Sequence, residues 1–348
     1  MNRVLLLLGI FGFVCCFAGV AAEKVAEGAY PDITVDHAGD FHLAYAREEF
    51  LYYQKYDREA KTWGGEEAVG VPVGKVHRSD PEIVMNPNFG SPQVIVGKHM
   101  AWKGKKKWAP WPLNVVRDTA LAIDSKGTVF ICRRGGFHGG YMGVLRMQNT
   151  DSRFFPTADP DIAAGFEAGR NDHVYGDIAV SAVDDSVHVV YRHGTPTHCA
   201  YRYSTDMGKT WKGGGITDDD REAPAIAIAR DGTVYVVTGR GFLYKKIGEP
   251  SEWDNLGQAV EAGRRDRPQI WVDKAGTVYI SQFGGDYNIY KKGKWSGVKT
   301  IASAKSQPVG FMRIITRDKT PYAVWEEGEE VNNDEVAGTS NILFGELP

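Results

Sequence analysis

Pro224-Ala-Ile-Ala-Ile, followed by Asp231-Gly232-Thr-Val-Tyr235, is the stretch that decides the fold. Its alternating apolar residues make a strand with one face toward a core. The Asp-Gly pair reverses the chain, and a β-branched and aromatic run supplies the antiparallel partner. The same phrase returns as Pro31-Asp-Ile-Thr-Val-Asp36 with Gly39, and as Ala120-Leu-Ala-Ile-Asp124 with Gly127-Thr-Val-Phe130. It returns again as Pro268-Gln-Ile-Trp-Val-Asp273 with Gly276-Thr-Val-Tyr279. Weaker copies begin at Pro81-Glu-Ile-Val-Met, Gly176-Asp-Ile-Ala-Val and Pro308-Val-Gly-Phe-Met, giving about seven units of roughly 40 to 57 residues. Such a period holds four short strands, the blade of a propeller. The sequence therefore predicts an all-β fold, a β-propeller of about seven four-stranded blades, with six blades as the second choice.

Most units close on a tryptophan: Trp63, Trp108, Trp211, Trp253 and Trp295. A bulky aromatic at that place is expected to wedge blade against blade. Ring closure is expected between Ile342–Leu347 and the start of the mature chain, because an open sheet edge is a liability. At the N-terminus, Arg3, the apolar run Val4–Phe17 and the small residues Val20-Ala21-Ala22 read as a signal peptide over 1–22. This predicts a secreted or periplasmic protein whose single propeller domain covers 23–348. The run falls short of the roughly 20 residues that span a bilayer, so no membrane span is expected. Phe13-Val14 before Cys15 lacks the small residue that usually precedes a lipidated cysteine. The 348 residues carry a formal net charge of −3, which offers no field to gather nucleic acid. Past the signal only Cys132 and Cys199 remain, so the core must come from packed strands, although one bridge between them is conceivable. A monomer is expected.

Ser204-Thr-Asp206-Met-Gly208-Lys-Thr-Trp211 matches the Asp-box pattern Ser-x-Asp-x-Gly-x-x-Trp, and the chain thereby resembles the sialidase-type (BNR/Asp-box) propellers. Tyr56-Asp57 to Trp63 looks like a decayed copy without the Ser and the Gly. Cys132-Arg-Arg-Gly-Gly-Phe-His138-Gly-Gly-Tyr141, and then Tyr191-Arg-His193 through His198-Cys199 to Ser204, resemble the matching loops of propeller ulvan lyases and an α-L-rhamnosidase. There a Gly-rich Arg loop precedes a His-bearing strand. The usual serine-glycine pattern of that loop is replaced here by Gly136-Phe137-His138. The resemblance implies a carbohydrate-active secreted enzyme, a lyase or hydrolase, acting on an acidic or deoxy-sugar polysaccharide.

The residues themselves leave several chemistries open. A lyase needs a cation against a uronate carboxylate and a His or Tyr to move the adjacent proton. His138, His193, Tyr175 and Tyr201 are the catalytic candidates, with Arg117, Arg133, Arg192, Arg267 and His173 to bind substrate together with Asp118 and Glu326. A glycosidase needs two carboxylates, for which Asp32, Asp80, Asp118, Asp177 and Glu326 are available. A sialidase would need an early arginine where Tyr30-Pro-Asp-Ile stands. No cofactor is expected, although His198 and Cys199 could contribute to a zinc site and Asp218-Asp219-Asp220 could hold calcium. His188, inside a Val-rich strand, reads as packing. The opposing class is a propeller that only binds glycan or protein.

Overall fold

A computed structural model describes residues 22–73, 80–113, 120–135, 141–147, 161–167, 176–193, 198–217, 223–261, 267–301, 308–328 and 340–347, with backbone only at 133–135, 141 and 161–167. These form seven antiparallel sheets, the blades of a propeller with about four strands each. The first strands of the blades are Ala29–Val35, Glu82–Asn86, Ala120–Ile123, Gly176–Val180, Ala225–Ile228, Gln269–Val272 and Val309–Arg317. Each touches the first strands of both neighbouring blades, so they close a ring around a channel. Blade 7 takes Ala22–Glu27 as its outer strand, paired with Asn341–Glu346 in the register Ala22↔Gly345. The first and last described strands thus share one sheet, as the closure reading expected.

The repeated phrase has a local explanation. Asp124 accepts hydrogen bonds from the amides of Lys126 and Thr128, and Asp273 does the same for Ala275 and Thr277. Gly127 and Gly276 take the positive φ that the reversal requires, 81° and 78°. The Ser204–Trp211 turn works in the same way. The Gly208 amide donates to Ser204 Oγ at 2.7 Å, the Thr210 amide donates to Asp206, and Trp211 Nε1 donates to the Gly208 carbonyl. Hydrogen bonds from Thr210 first, then Ser204, hold the Asp206 carboxyl down at about 2.

The unit-closing tryptophans are wedges. Trp253 of blade 5 meets Tyr201 of blade 4 edge-on at 5.0 Å, and Trp63 of blade 1 meets Phe344 of blade 7 at 5.2 Å. Trp108 of blade 2 packs on Tyr53 of blade 1, and Trp295 Nε1 of blade 6 donates to the Leu256 carbonyl of blade 5. Each apolar cluster therefore spans neighbouring blades, which couples their folding. Cys132 and Cys199 are buried, reduced thiols in two different clusters, so the conceivable bridge is not made.

One glycine tests this packing. Gly241 sits at φ 80°, and a Cβ there would lie 2.2 Å from the Val260 carbonyl oxygen. Gly241→Ala combines a left-handed backbone with a backbone clash and is expected to cost about 1–3 kcal/mol in urea unfolding. An unchanged midpoint would show that the blade 5 corner can relax freely.

Candidate functional site

In an up-and-down blade the start of the first strand and the hairpin between strands two and three lie at the same end. That end is the channel mouth. Just inside it, six first strands carry a residue before a shared isoleucine, and the five of these that are polar form a girdle: Asp32, Glu82, Asp177, Gln269 and Arg313. They line a cavity of about 330 Å³ that runs down the axis to Trp271 and Tyr279. Each carboxylate clasps the next blade along the chain. Asp32 accepts from the Ile83 amide at 2.8 Å in blade 2, and Glu82 from the Leu121 amide at 2.6 Å in blade 3. Asp177 accepts from the Ile226 amide at 2.8 Å in blade 5. Sequence reading named Asp32 and Asp177 but missed Glu82 and Arg313. The signal was available in the aligned phrases, at the position before the shared isoleucine.

Arg313 Nε lies 3.3 Å from Asp32 and its Nη2 lies 4.0 Å from Asp80. Arg267, in the step into blade 6, reaches Asp80, in the step into blade 2, at 3.3 Å. The mouth is thus crossed by an alternating chain of charge. Burial pushes the Asp32 carboxyl up against the pull of Arg313. Burial, then the Asp177 and Asp32 charges, push Glu82 well up, and burial raises Asp177 to about 6. Arg313 Nη1 is buried without a hydrogen-bond acceptor among the described residues. Above the girdle, Glu326 of blade 7 is 3% exposed and accepts from the Tyr30 amide at 3.3 Å. Burial raises its carboxyl to about 7, with the Asp80 charge adding to the shift. Tyr30 holds φ 54°, an outlier for an aromatic residue, in a bulge of the first strand.

A second group stands on blade 4. His193 ends the strand Val187–His193, His198 starts His198–Ser204, and the two are register partners. Their rings lie 4.5 Å apart, with Tyr191 edge-on to His193 at 6.1 Å. Val187, Val189 and Tyr191 pack against blade 3, so strand alternation turns His193 the same way. Val190 packs toward blade 5, and Arg192 shares that side. Arg192 and His193 therefore leave opposite faces of the strand at the same hairpin end, and Arg192 Nε is buried without a partner among the described residues.

One expectation is corrected. Tyr201, a catalytic candidate in the sequence, does not face substrate. It is fully buried between blades 4 and 5, with its hydroxyl 2.6 Å from His188 Nδ1. Ser186 Oγ donates to Asp184 and lies 2.7 Å from His188 Nε2. Nε2 must then donate to Ser186, which leaves Nδ1 to accept from Tyr201. This chain satisfies a buried imidazole that burial has pushed down to about 4, so His188 is packing, as read. Tyr201→Phe is expected to cost about 0.5–1.5 kcal/mol of stability and to leave turnover per folded molecule unchanged. A large loss of turnover in a fully folded variant would restore Tyr201 to the chemistry. Cys199 packs with Tyr201 and Val236, whereas His198, its chain neighbour, points to the other face. The two side chains thus leave opposite faces of the strand, and no group of three metal-ligating side chains occurs among the described residues.

His138, Tyr175, His173, Arg117 and Asp118 lie outside the described residues, as do Asp218–Asp220. Arg133 lies in the strand Val129–Gly135, of which the backbone alone is described at that point. That strand belongs to blade 3 and ends, at Gly135, toward the mouth.

No family model matches the chain, and no curated protein matches it. Among solved structures it is similar to the polysaccharide lyase Uly1, at TM-score 0.60 and 10% identity, covering 91% of this chain and 90% of that one. It is similar to a polysaccharide lyase, an ulvan lyase bound to -[GlcA(1-4)Rha3S]-, at TM-score 0.58 and 12% identity, covering 92% and 95%. AofleA from Arthrobotrys oligospora matches at TM-score 0.50 and 9% identity, covering 82% and 90%. At these identities the likeness establishes a shared propeller fold.

Proposed function

We propose that the protein is an exported, monomeric, carbohydrate-active enzyme of the sialidase-like propeller type that cleaves an acidic polysaccharide by β-elimination at the channel mouth. The observation that carries this reading is the His193–His198 pair, two imidazoles in ring contact on the side of blade 4 that faces blade 3. In sequence, Arg133 and Arg134 end a strand of blade 3, and His138 follows them. An arginine fork neutralises the uronate carboxylate and makes the neighbouring C–H acidic. One imidazole takes that proton, the freed electron pair forms a C=C bond, and the C–O bond to the next sugar breaks. A second acid, imidazole or phenol, gives its proton to the leaving oxygen. The arginine supplies the positive charge that a metal would otherwise supply, so incubation with a chelator is expected to leave activity unchanged. That polysaccharide lyases share this fold supports the choice of polymer.

A second reading rests on Glu326. A carboxyl held at about 7 is half protonated near neutrality and suits a general acid of a glycoside hydrolase. Incubation with uronate-containing, deoxy-sugar and neutral polysaccharides separates the two. Ultraviolet absorbance from unsaturated products supports elimination, and new reducing ends without that absorbance support hydrolysis. Silence in both readouts with retained binding supports a glycan-binding propeller instead.

A further inference from the structure

At the end of the propeller opposite the mouth, blades 4 and 5 part around a cavity of about 400 Å³. This volume falls within the range of small-molecule sites, about 300–1,000 Å³. Its floor is the satisfied Ser186–His188–Tyr201 chain, which is neutral because burial disfavours the imidazolium. One wall is Tyr203, half-buried, whose ring runs within 19° of parallel to those of His188 and Tyr201. Lys246 Nζ lies 5.7 Å from the Tyr203 ring centroid. Asp184 and Asp231 stand on the blade 4 and blade 5 sides of the cavity. At its edge Val183 and Ile247 are 61% and 64% exposed, two of the few large apolar side chains this open among the described residues.

The chemistry of this wall selects among ligands. Asp184 already accepts from Ser186, Asp231 from the Thr233 amide, and Lys246 donates to the Gly248 carbonyl, but a purely apolar guest would take water from their remaining donor and acceptor sites without replacing it. A strongly anionic guest would meet two carboxylates against one lysine. A single neutral sugar ring has apolar C–H faces for the tyrosine, hydroxyl donors for the carboxylates and hydroxyl acceptors for the lysine. We propose that this cleft between blades 4 and 5 is a non-catalytic binding site for one neutral monosaccharide unit, separate from the mouth. It stands on its own geometry and does not depend on how, or whether, the mouth cleaves polymer.

The test is saturation-transfer NMR on the full chain with free glucose, galactose, rhamnose and, as the charged comparison, glucuronate. Transfer to at least one neutral sugar is expected, at least several-fold stronger than to glucuronate. Tyr203→Ala is expected to abolish it. Asp231→Asn, at the solvent edge, and Lys246→Ala, half-buried at the cavity wall, are expected to weaken it several-fold with unchanged thermal unfolding. His193→Ala is expected to leave it intact, which keeps this result independent of the mouth. Absence of transfer from every neutral sugar would overturn the proposal. So would transfer that survives both the Asp231 and the Lys246 substitutions, or that disappears with His193→Ala.

Discussion

Arg313→Met is expected to lower the free energy of unfolding by about 3–5 kcal/mol at pH 8 and by distinctly less at pH 5. The guanidinium contacts Asp32 and lowers the carboxyl pKa values of Asp32, Glu82 and Asp177 together. Methionine keeps much of the volume and removes the charge, leaving three buried carboxylates around one cavity. A carboxyl whose pKa is raised on folding costs nothing below its unfolded value and its full amount above its folded value. For Asp177 that window runs from the unfolded value, about 4, up to about 6, so the native protein already loses some stability as pH rises through it. Without Arg313 all three groups shift further up, and the extra loss falls at higher pH. His188 works in the other direction. Its pKa is depressed to about 4, so folding loses stability as pH falls from about 6.5 toward that value. Its contribution is the same in both proteins and cancels from their difference. Urea unfolding of both proteins at several pH values gives that difference directly. A gap that does not change with pH would mean that Arg313 acts through packing alone. Adding Glu82→Gln to the variant is expected to recover a good part of the loss at high pH, because it removes one of the stranded charges.

The fold was legible because its determinants are local and repeated. The aspartate and glycine of each turn, the alternation of the first strand and the closing tryptophan all act within one unit, and repetition turns each weak signal into a strong one. The girdle was half legible. Asp32 and Asp177 were named as candidate carboxylates and Arg267 as a substrate-binding residue, yet their part in joining blades, and the contribution of Glu82 and Arg313, depend on which side chains meet across the channel. Asp80 and Arg267 are 187 positions apart, and no local pattern announces such a pair. Tyr201 shows the opposite failure. Density of polar residues near the Ser204 turn suggested a site, but strand alternation sends every second side chain into the blade interface. There the phenol satisfies a histidine instead of meeting a substrate. The same alternation splits Arg192 from His193, and Cys199 from His198.

His193→Ala and His198→Ala are each expected to lower kcat on a cleaved uronate polymer by about 10²–10⁴-fold, the usual contribution of a positioned proton-transfer group. KM is expected to stay within a few-fold. Both rings are half-buried at the end of a hairpin, so their loss leaves the inter-blade clusters intact and the variants are expected to remain folded. Because the rings touch, one can act as base while the other hands its proton to the leaving oxygen. A small uronate that carries an aryloxide on the carbon β to the carboxylate, where the next sugar's oxygen would otherwise be expelled, loses that group without protonation and separates these roles. The variant that lacks the acid is expected to recover most of its rate on that substrate, and the variant that lacks the base is not. Recovery in neither would make the pair jointly responsible for proton abstraction. Full activity of both variants on the polymer would remove elimination at this rim. Glu326→Gln would then become the decisive substitution: a carboxyl poised at about 7 loses its acid function as the amide while keeping an acceptor for the Tyr30 amide. A loss of two or more orders of magnitude in reducing-end release, without ultraviolet-absorbing product, would assign the mouth to hydrolysis.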